Sequence, residues 1–477
     1  MKKSILVVCL AMLAQLMGAQ NLELPATFGS GMVIQQNSEV KIWGWADAGS
    51  KVSVQVSWAK GKVHGVADES GEWMVKVNTP SASFDPHQIV VRSGKQKIVL
   101  EDVLTGDVWF VSGQSNMEMD FRGNPDQPTN DAQKIMLRAN HPGIRLYREK
   151  DGYAIAQSDT LKPEGSWKYL SPESVKTFSV IGYIFGEKIY QMENIPIGLV
   201  QSAHGGSVAE AWLDLKTLQD FDGGFNLDFT SRPMDQVWYA LEANLLYNKM
   251  LEPLLPMRIK GVIWYQGESN VDRPQQYLEL FPLMIKKWRE YFEDEDMPFY
   301  YVQITPAELY PNDNSAELRE AQLKVMDMVE NVGMAVSLDV GERFIDHPAR
   351  KEVLGERLAY WALNRDYGHT AFGCRGPEVD KMEVKDGKAI LSFKYAPNGL
   401  SFFGKKVTGF EVAGEDKVFH PAQARIKPAF WGNEGLEVWS EEVPNPVAVR
   451  YGYTNFVDGC LYNTEGLPAS SFRTDNW

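Results

Sequence analysis

Between about Asp107 and Gly368 the chain repeats one pattern: a short apolar segment, a polar or glycine-rich turn, then an amphipathic stretch at helical spacing. Five such segments, Val108–Val111, Ile197–Gln201, Val262–Tyr265, Phe299–Ile304 and Met334–Leu338, are apolar on almost every residue. A strand buried on both faces of a parallel sheet must read this way. The stretches between them supply covering helices, so the pattern predicts an α/β domain of three layers, helices on both faces of a mostly parallel sheet. In the clearest helix Tyr277, Leu280, Phe281, Met284 and Trp288 share one face. Pro274 stands near its start, where a missing N–H costs little, and Pro282 is expected to kink it.

The flanks follow a different rule. From Asn21 to Val99 short alternating segments such as Val52–Val56 are separated by turns at Gly44, Gly49, Gly61, Gly65 and Gly71, which leaves no room for a helix and predicts a β-sandwich. Beyond Gly376 the alternation returns, as in Lys388–Phe393, with turns at Asn398-Gly399 and Asn433-Glu434-Gly435. The β parts are expected to pack tightly on the central domain, and whether they form one sandwich or two is left open. The expected divisions are a signal peptide over 1–19, a β-sandwich over 20–104, the α/β domain over 105–372 and a C-terminal β region over 373–477. The leader is read from Lys2 and Lys3, the apolar run Ile5–Leu13 and the small pair Gly18-Ala19, and it predicts an exported protein, periplasmic or secreted.

Lys plus Arg number 48 against 63 Asp plus Glu, a net charge of −15. That field disfavours nucleic acid and anionic lipid as partners, and neutral carbohydrate is easier to accommodate. No run after the leader is long enough to enter a membrane. Cysteine and histidine spacing offers no zinc site, and after the leader only Cys374 and Cys460 remain, as one disulfide or two thiols.

Four turns carry the candidate chemistry. Val108–Val111 runs into Ser112-Gly113-Gln114-Ser115-Asn116-Met117, placing Ser115 at a strand's carboxyl end, the ligand-binding edge of open α/β sheets. Met117 stands where the nucleophile elbow of α/β-hydrolases needs glycine, so that class is disfavoured. Ile197–Gln201 leads to His204-Gly205-Gly206-Ser207 before an expected helix at Val208–Leu213, and Gly206 could offer a backbone N–H to an oxyanion. Val262–Tyr265 leads to Gln266-Gly267-Glu268-Ser269-Asn270, where Gln266 or Asn270 could donate to the same oxyanion and Glu268 could orient a histidine. Finally, Asp346-His347-Pro348 precedes an apolar stripe, which makes His347 the expected N-cap and a neutral imidazole able to accept a serine proton. Taken singly, each turn also reads as a loop serine, a tight glycine turn or a helix cap. Four converging on one sheet edge argue for a serine hydrolase.

The segments Gly113–Met117, Gly205–Trp212, Trp264–Asn270 and His347-Pro348 together closely resemble the sialate O-acetylesterase family, carbohydrate acetylesterases of the SGNH type. The resemblance implies a flavodoxin-like central domain in which Ser115 attacks an acetyl ester and His347 carries the proton. It also implies that the Ser115 and Gly206 N–H groups, with a polar side chain after the third strand, hold the oxyanion. No metal or organic cofactor is implied. The expected substrate is an O-acetylated carbohydrate, 9-O-acetylated sialic acid first, acetylated xylan or pectin as the alternative. Many members place Asp three residues before the histidine, where this chain has Phe344, so Glu268 is ranked above Asp346 as the orienting acid and a Ser–His dyad stays open. His204 also departs from the family pattern and could shape the acyl or sugar pocket, or equally be a satisfied loop histidine. Arg122 is a candidate partner for a sugar carboxylate, or else a solvated loop residue. Two rivals stand beside this reading. A glycoside hydrolase would need two opposed carboxylates and leaves the serine and histidine unexplained, and an inactive glycan-binding protein would rely on aromatics such as Trp43, Trp58 or Trp73.

Overall fold

The computed structural model describes residues 22–156, 161–229, 238–310, 315–428 and 433–477. The expected leader lies outside these. The first seven strands are β1 (Val33–Gln35), β2 (Glu39–Trp45), β3 (Lys51–Val56), β4 (Val63–Val66), β5 (Glu72–Asn78), β6 (Ser83–Ser93) and β7 (Gln96–Gly113). In β5 burial alternates residue by residue, the mark of a strand with one face on a core and one in water. The pair β2–β5 packs against β3, β4 and β6 around Ile42, Val52, Val54, Trp73, Ile89 and Val91. Trp73 belongs to this packed interior, Trp43 is buried against Phe28, and Trp58 is half-buried, donating to the Asn78 carbonyl.

β7 joins two domains without a break. Its first part pairs antiparallel with β6, and from Asp107 it becomes the middle strand of the central sheet. The remaining strands of that sheet are β8 (Ile144–Arg148), β9 (Ser166–Tyr169), β10 (Ile197–Ala203), β11 (Gly261–Tyr265), β12 (Phe299–Val302) and β13 (Val332–Ala335). Their order is β13-β12-β11-β7-β10-β8-β9, parallel throughout except for the edge strand β9. All five expected strands are present. β8 is a further strand without the same signal, because Arg145 and Arg148 break its apolar run.

Alternation along β7 divides the core in two. Val108 and Phe110 face one layer, with α3 (Pro274–Tyr291) and α4 (Ser315–Met328); Trp109 and Val111 face the other, with α2 (Val180–Glu193) and α5 (Lys351–Arg365). α3 runs unbroken through Pro282 and buries the predicted stripe. The chain therefore folds as a three-layer α/β domain carrying separate antiparallel sheets. Near the C-terminus, Glu378–Lys385, Lys388–Lys394, Gln423–Pro428 and Asn433–Trp439 form one four-stranded sheet, and Phe410–Ala413, Phe419–Pro421, Ala448–Tyr451 and Phe472–Arg473 form another.

These sheets are tied to the central domain by the fully buried Arg319 of α4, which donates to Ser471 Oγ at 2.9 Å and to the Gly452 and Thr454 carbonyls at 3.1 and 2.5 Å. A buried guanidinium must be satisfied by acceptors, and these come from the partner region, so burial of Arg319 couples the two regions. Cys374 and Cys460 are free thiols, which settles the alternative left by their count. Among the described residues no helix is long and apolar enough to cross a membrane, and no group of three His, Cys, Asp or Glu side chains could hold a metal ion.

Candidate active site

Register brings three of the four turns to one place. Gly113 of β7 is level with Ala203 of β10 on one side and Tyr265 of β11 on the other, so the Ser115, Gly206 and Glu268 turns leave the sheet together. β10 and β11 lie on opposite sides of β7, the topological switch point where open sheets leave a crevice. Gly113 has φ +138°, and a Cβ there would stand 2.1 Å from the Tyr265 carbonyl oxygen. Only glycine lets the strand turn so close to its neighbour. Gln114 then clasps the next turn: its N–H donates to Tyr265 O at 2.9 Å and its Oε1 accepts from Gly267 N at 3.1 Å.

Ser115 opens a single helical turn, α1 (Ser115–Glu118). Its Oγ lies 2.6 Å from His347 Nε2. His347 Nδ1 faces Asp346 Oδ1 at 2.9 Å, an ion-pair contact whose angle falls short of a hydrogen bond. That contact is the first cause holding the Asp346 carboxyl below its ordinary value, against burial, which raises it. Asp346, not Glu268, thus stands behind the imidazole, the reverse of the sequence ranking. The reason is local: α5 begins at Lys351 with Arg350 as its cap, so His347 lies in a loop and not at the expected N-cap. In that loop Asp346 and His347 fold back on one another.

Glu268 has a different occupation. Its Oε1 accepts from Asn116 Nδ2 at 2.6 Å, the same nitrogen donates to the Asp346 carbonyl at 2.8 Å, and Asn116 Oδ1 accepts from Lys351 Nζ at 2.7 Å. One buried amide thereby ties the turns after β7 and β11 to the histidine loop and to α5. Burial pushes the Glu268 carboxyl up to about 7 and the Lys351 ammonium down to about 7. The Asn116 and Lys351 roles were not read from sequence, although Asn116 lies inside the quoted motif.

Two expected oxyanion donors are already engaged. Gln266 Nε2 donates to Asn270 Oδ1 at 2.6 Å and Ser207 O at 3.1 Å, while Asn270 Nδ2 donates to Glu210 Oε2 at 2.9 Å. Both side chains brace the turn after β10. The expected helix at Val208–Leu213 is a single 3₁₀ turn, Ala209–Trp212, too short to lend a helix-start potential to Gly206. Backbone donors remain. Among the described residues neither the Ser115 nor the Gly206 N–H has a hydrogen-bond partner. Gly206 has φ +72°, and Gly205 abuts the serine, since a Cβ on Gly205 would lie 3.6 Å from Ser115 Cβ. Gly205 N donates to Glu118 Oε2 at 2.7 Å, fixing the glycine pair to the serine's own helical turn.

Residues 105–364 match the family of carbohydrate esterases described as sialic acid-specific acetylesterases. The chain belongs to that family. The sialate O-acetylesterase of Homo sapiens is 29% identical over 398 residues, covering 76% of this chain and 75% of its own. That of Mus musculus is 28% identical over 428 residues, 76% of this chain and 77% of its own. Among solved structures, a carbohydrate acetylesterase from Xanthomonas citri superposes with a TM-score of 0.84 at 32% identity, covering 96% of this chain and all of that one. The chain is thus a carboxylic ester hydrolase of the carbohydrate esterase type.

Proposed function

We propose that this esterase removes O-acetyl groups from carbohydrate through an acetyl-serine intermediate on Ser115. The observation carrying the proposal is the 2.6 Å contact between Ser115 Oγ and His347 Nε2 at the switch-point edge. With its proton on Nδ1, facing Asp346, the imidazole accepts the Ser115 proton at Nε2 as Oγ attacks the acetyl carbonyl. The Ser115 and Gly206 N–H groups receive the oxyanion. Collapse breaks the C–O bond to the sugar, whose alkoxide takes the proton back from His347. Water, deprotonated by the same nitrogen, then releases acetate and frees Ser115. Glu268 and Lys351 hold Asn116 in place and touch no reacting atom in this scheme. The leader-like N-terminus supports action outside the cytoplasm, on glycans in the periplasm or beyond.

The test is acetate release from a small acetate ester by the purified protein beside Ser115→Ala and His347→Ala. The expected loss is about 10⁴-fold or more in kcat for each. Wild-type silence on small esters and on acetylated glycans alike would return the chain to a glycan-binding role. The relatives named sialate O-acetylesterase support an acetylated sialic acid as substrate, as the sequence resemblance did. Acetylated xylan is the alternative, and the two differ in that only the former carries a carboxylate on the acetylated sugar.

A further inference from the structure

Around the glycine pair beside Ser115 stand aromatic side chains that the ester chemistry leaves unused. Trp238, 57% exposed, lies over Gly206 so closely that a Cβ there would come within 2.4 Å of its ring. The His204 ring is 5.0 Å from Tyr239, which stacks on Tyr153 at 4.5 Å with the planes 27° apart. His204 Nδ1 is buried with no partner. Rings that serve a core are hidden, whereas Trp238 and Tyr153, the latter 38% exposed, meet solvent. Two carboxylates stand with them. Glu118 accepts from Gly205 N, and Asp151, two residues before Tyr153, lies 3.7 Å from the Arg148 guanidinium that also meets Glu118.

Among the described residues, the cation beside these carboxylates is already engaged. Arg148 lies 3.1 Å from Glu118 Oε1 and 3.7 Å from Asp151 Oδ2, and donates to Thr177 O at 2.9 Å. Arg122, the sequence candidate for a sugar carboxylate, is held by both oxygens of Asp120.

We propose that Trp238, Tyr239, Tyr153 and His204, together with Asp151, form the platform that grips the acetylated sugar, and that this sugar is a neutral pyranoside. The inference rests on the esterase reading and, between its two substrates, selects the neutral sugar over the sialic acid. A pyranose turns an apolar C–H face to the negative face of an aromatic ring, and its hydroxyls donate to carboxylate oxygens. A sugar carboxylate would instead meet Glu118 and Asp151, with the guanidinium of Arg148 already paired.

The experiment measures kcat/KM on ethyl acetate, an O-acetylated xylo-oligosaccharide and 9-O-acetyl-N-acetylneuraminic acid, for wild type, Tyr239→Ala, Trp238→Ala and Asp151→Asn. Wild type is expected to favour the xylo-oligosaccharide over the sialic acid by about tenfold or more. Each aromatic variant should lower the ratio of oligosaccharide to ethyl acetate by about tenfold, chiefly through KM. Asp151→Asn should narrow the preference against the sialic acid. Tyr239→Phe, which keeps the stack, should restore the wild-type ratio, and Tyr153→Ala repeats the comparison should Tyr239→Ala fail to fold. A wild-type preference for the sialic acid, or equal losses on ethyl acetate and oligosaccharide, would overturn the platform and leave the esterase standing. Inactivity on all three esters would overturn the esterase reading itself.

Discussion

Behind Ser115, the buried side chains of Asn116 and Lys351 and the half-buried Glu268 are hydrogen-bonded in a chain, whereas in front of it Trp238, Tyr153 and Asp151 stand in water beside a backbone held by glycine. The two sides solve different problems. A nucleophile and its base must be fixed to within a fraction of an ångström, and the bonds that converge on Asn116 do this. A sugar platform must release its product, and it works through exposed faces whose partners are supplied by the substrate. The comparison teaches where to look for function in this fold: in the bonded set for mechanism and in the unbonded set for specificity.

The sharpest way to break this division is to exchange the two carboxylates near the histidine. Asp346→Asn, which removes the charge facing His347 Nδ1 at 2.9 Å, is expected to lower kcat by about 10² to 10⁴-fold. Glu268→Gln keeps an oxygen for Asn116 Nδ2 and should cost less than about tenfold. Steady-state rates on a small acetate ester decide it, and a larger loss from Glu268→Gln would restore the ranking made from sequence.

A second test strikes the boundary between the two sides. Gly206→Ala sets a side chain at φ +72° and 2.4 Å from Trp238, so its N–H must turn from where the oxyanion forms. A loss of about 10²-fold in kcat is expected, the size of one lost oxyanion donor. An unchanged kcat with a raised KM would instead assign Gly206 to the sugar side alone.

How much of this was legible beforehand follows from the range of each signal. Strand and helix periodicity is local, so the five buried strands and the α3 stripe could be read directly, and residues that end a strand fall on one edge by topology alone. That is why Ser115, Gly206 and Glu268 read from the sequence as one site. Side-chain direction in loops is set by distant packing. Asp346 turned out to face His347 because the loop folds back before Lys351, and Gln266 and Asn270 were spent on Ser207 and Glu210, residues about 60 positions away. Asn116 lies inside the motif, yet the three partners of its side chain lie 152, 230 and 235 residues further along the chain, a separation that no spacing rule reaches.

The buried set also carries a stability signature. Glu268 holds its proton up to about 7 when folded, above its ordinary 4.5, so the stability it contributes is complete below about 4.5 and lost as pH rises through about 7. Lys351 runs the other way: its value falls from 10.5 to about 7, so its contribution is complete above 10.5 and lost as pH falls through about 7. Urea melts at pH 4.5 and 7.5 should show wild type losing on the order of 2 kcal/mol across that interval through Glu268, a slope that Glu268→Gln removes. A variant with the wild-type slope would mean that Glu268 is already charged in the folded chain, and the buried side would then be an ion pair bridged by Asn116.

The smallest effect is expected at Glu118, which belongs to both sides. Its Oε2 accepts from Gly205 N, while its Oε1 meets Arg148 at 3.1 Å. Burial raises its carboxyl pKa, and the backbone donor is among the groups opposing that rise. Glu118→Gln preserves an acceptor for Gly205 and should lower kcat/KM by only about threefold, whereas Glu118→Ala frees the glycine pair and should cost about tenfold, mostly in kcat. The split between the two variants is the informative quantity. If glutamine is as poor as alanine, the charge on Glu118 matters more than its hydrogen bond, and the electrostatics of the sugar side reach directly to the helical turn that holds the nucleophile.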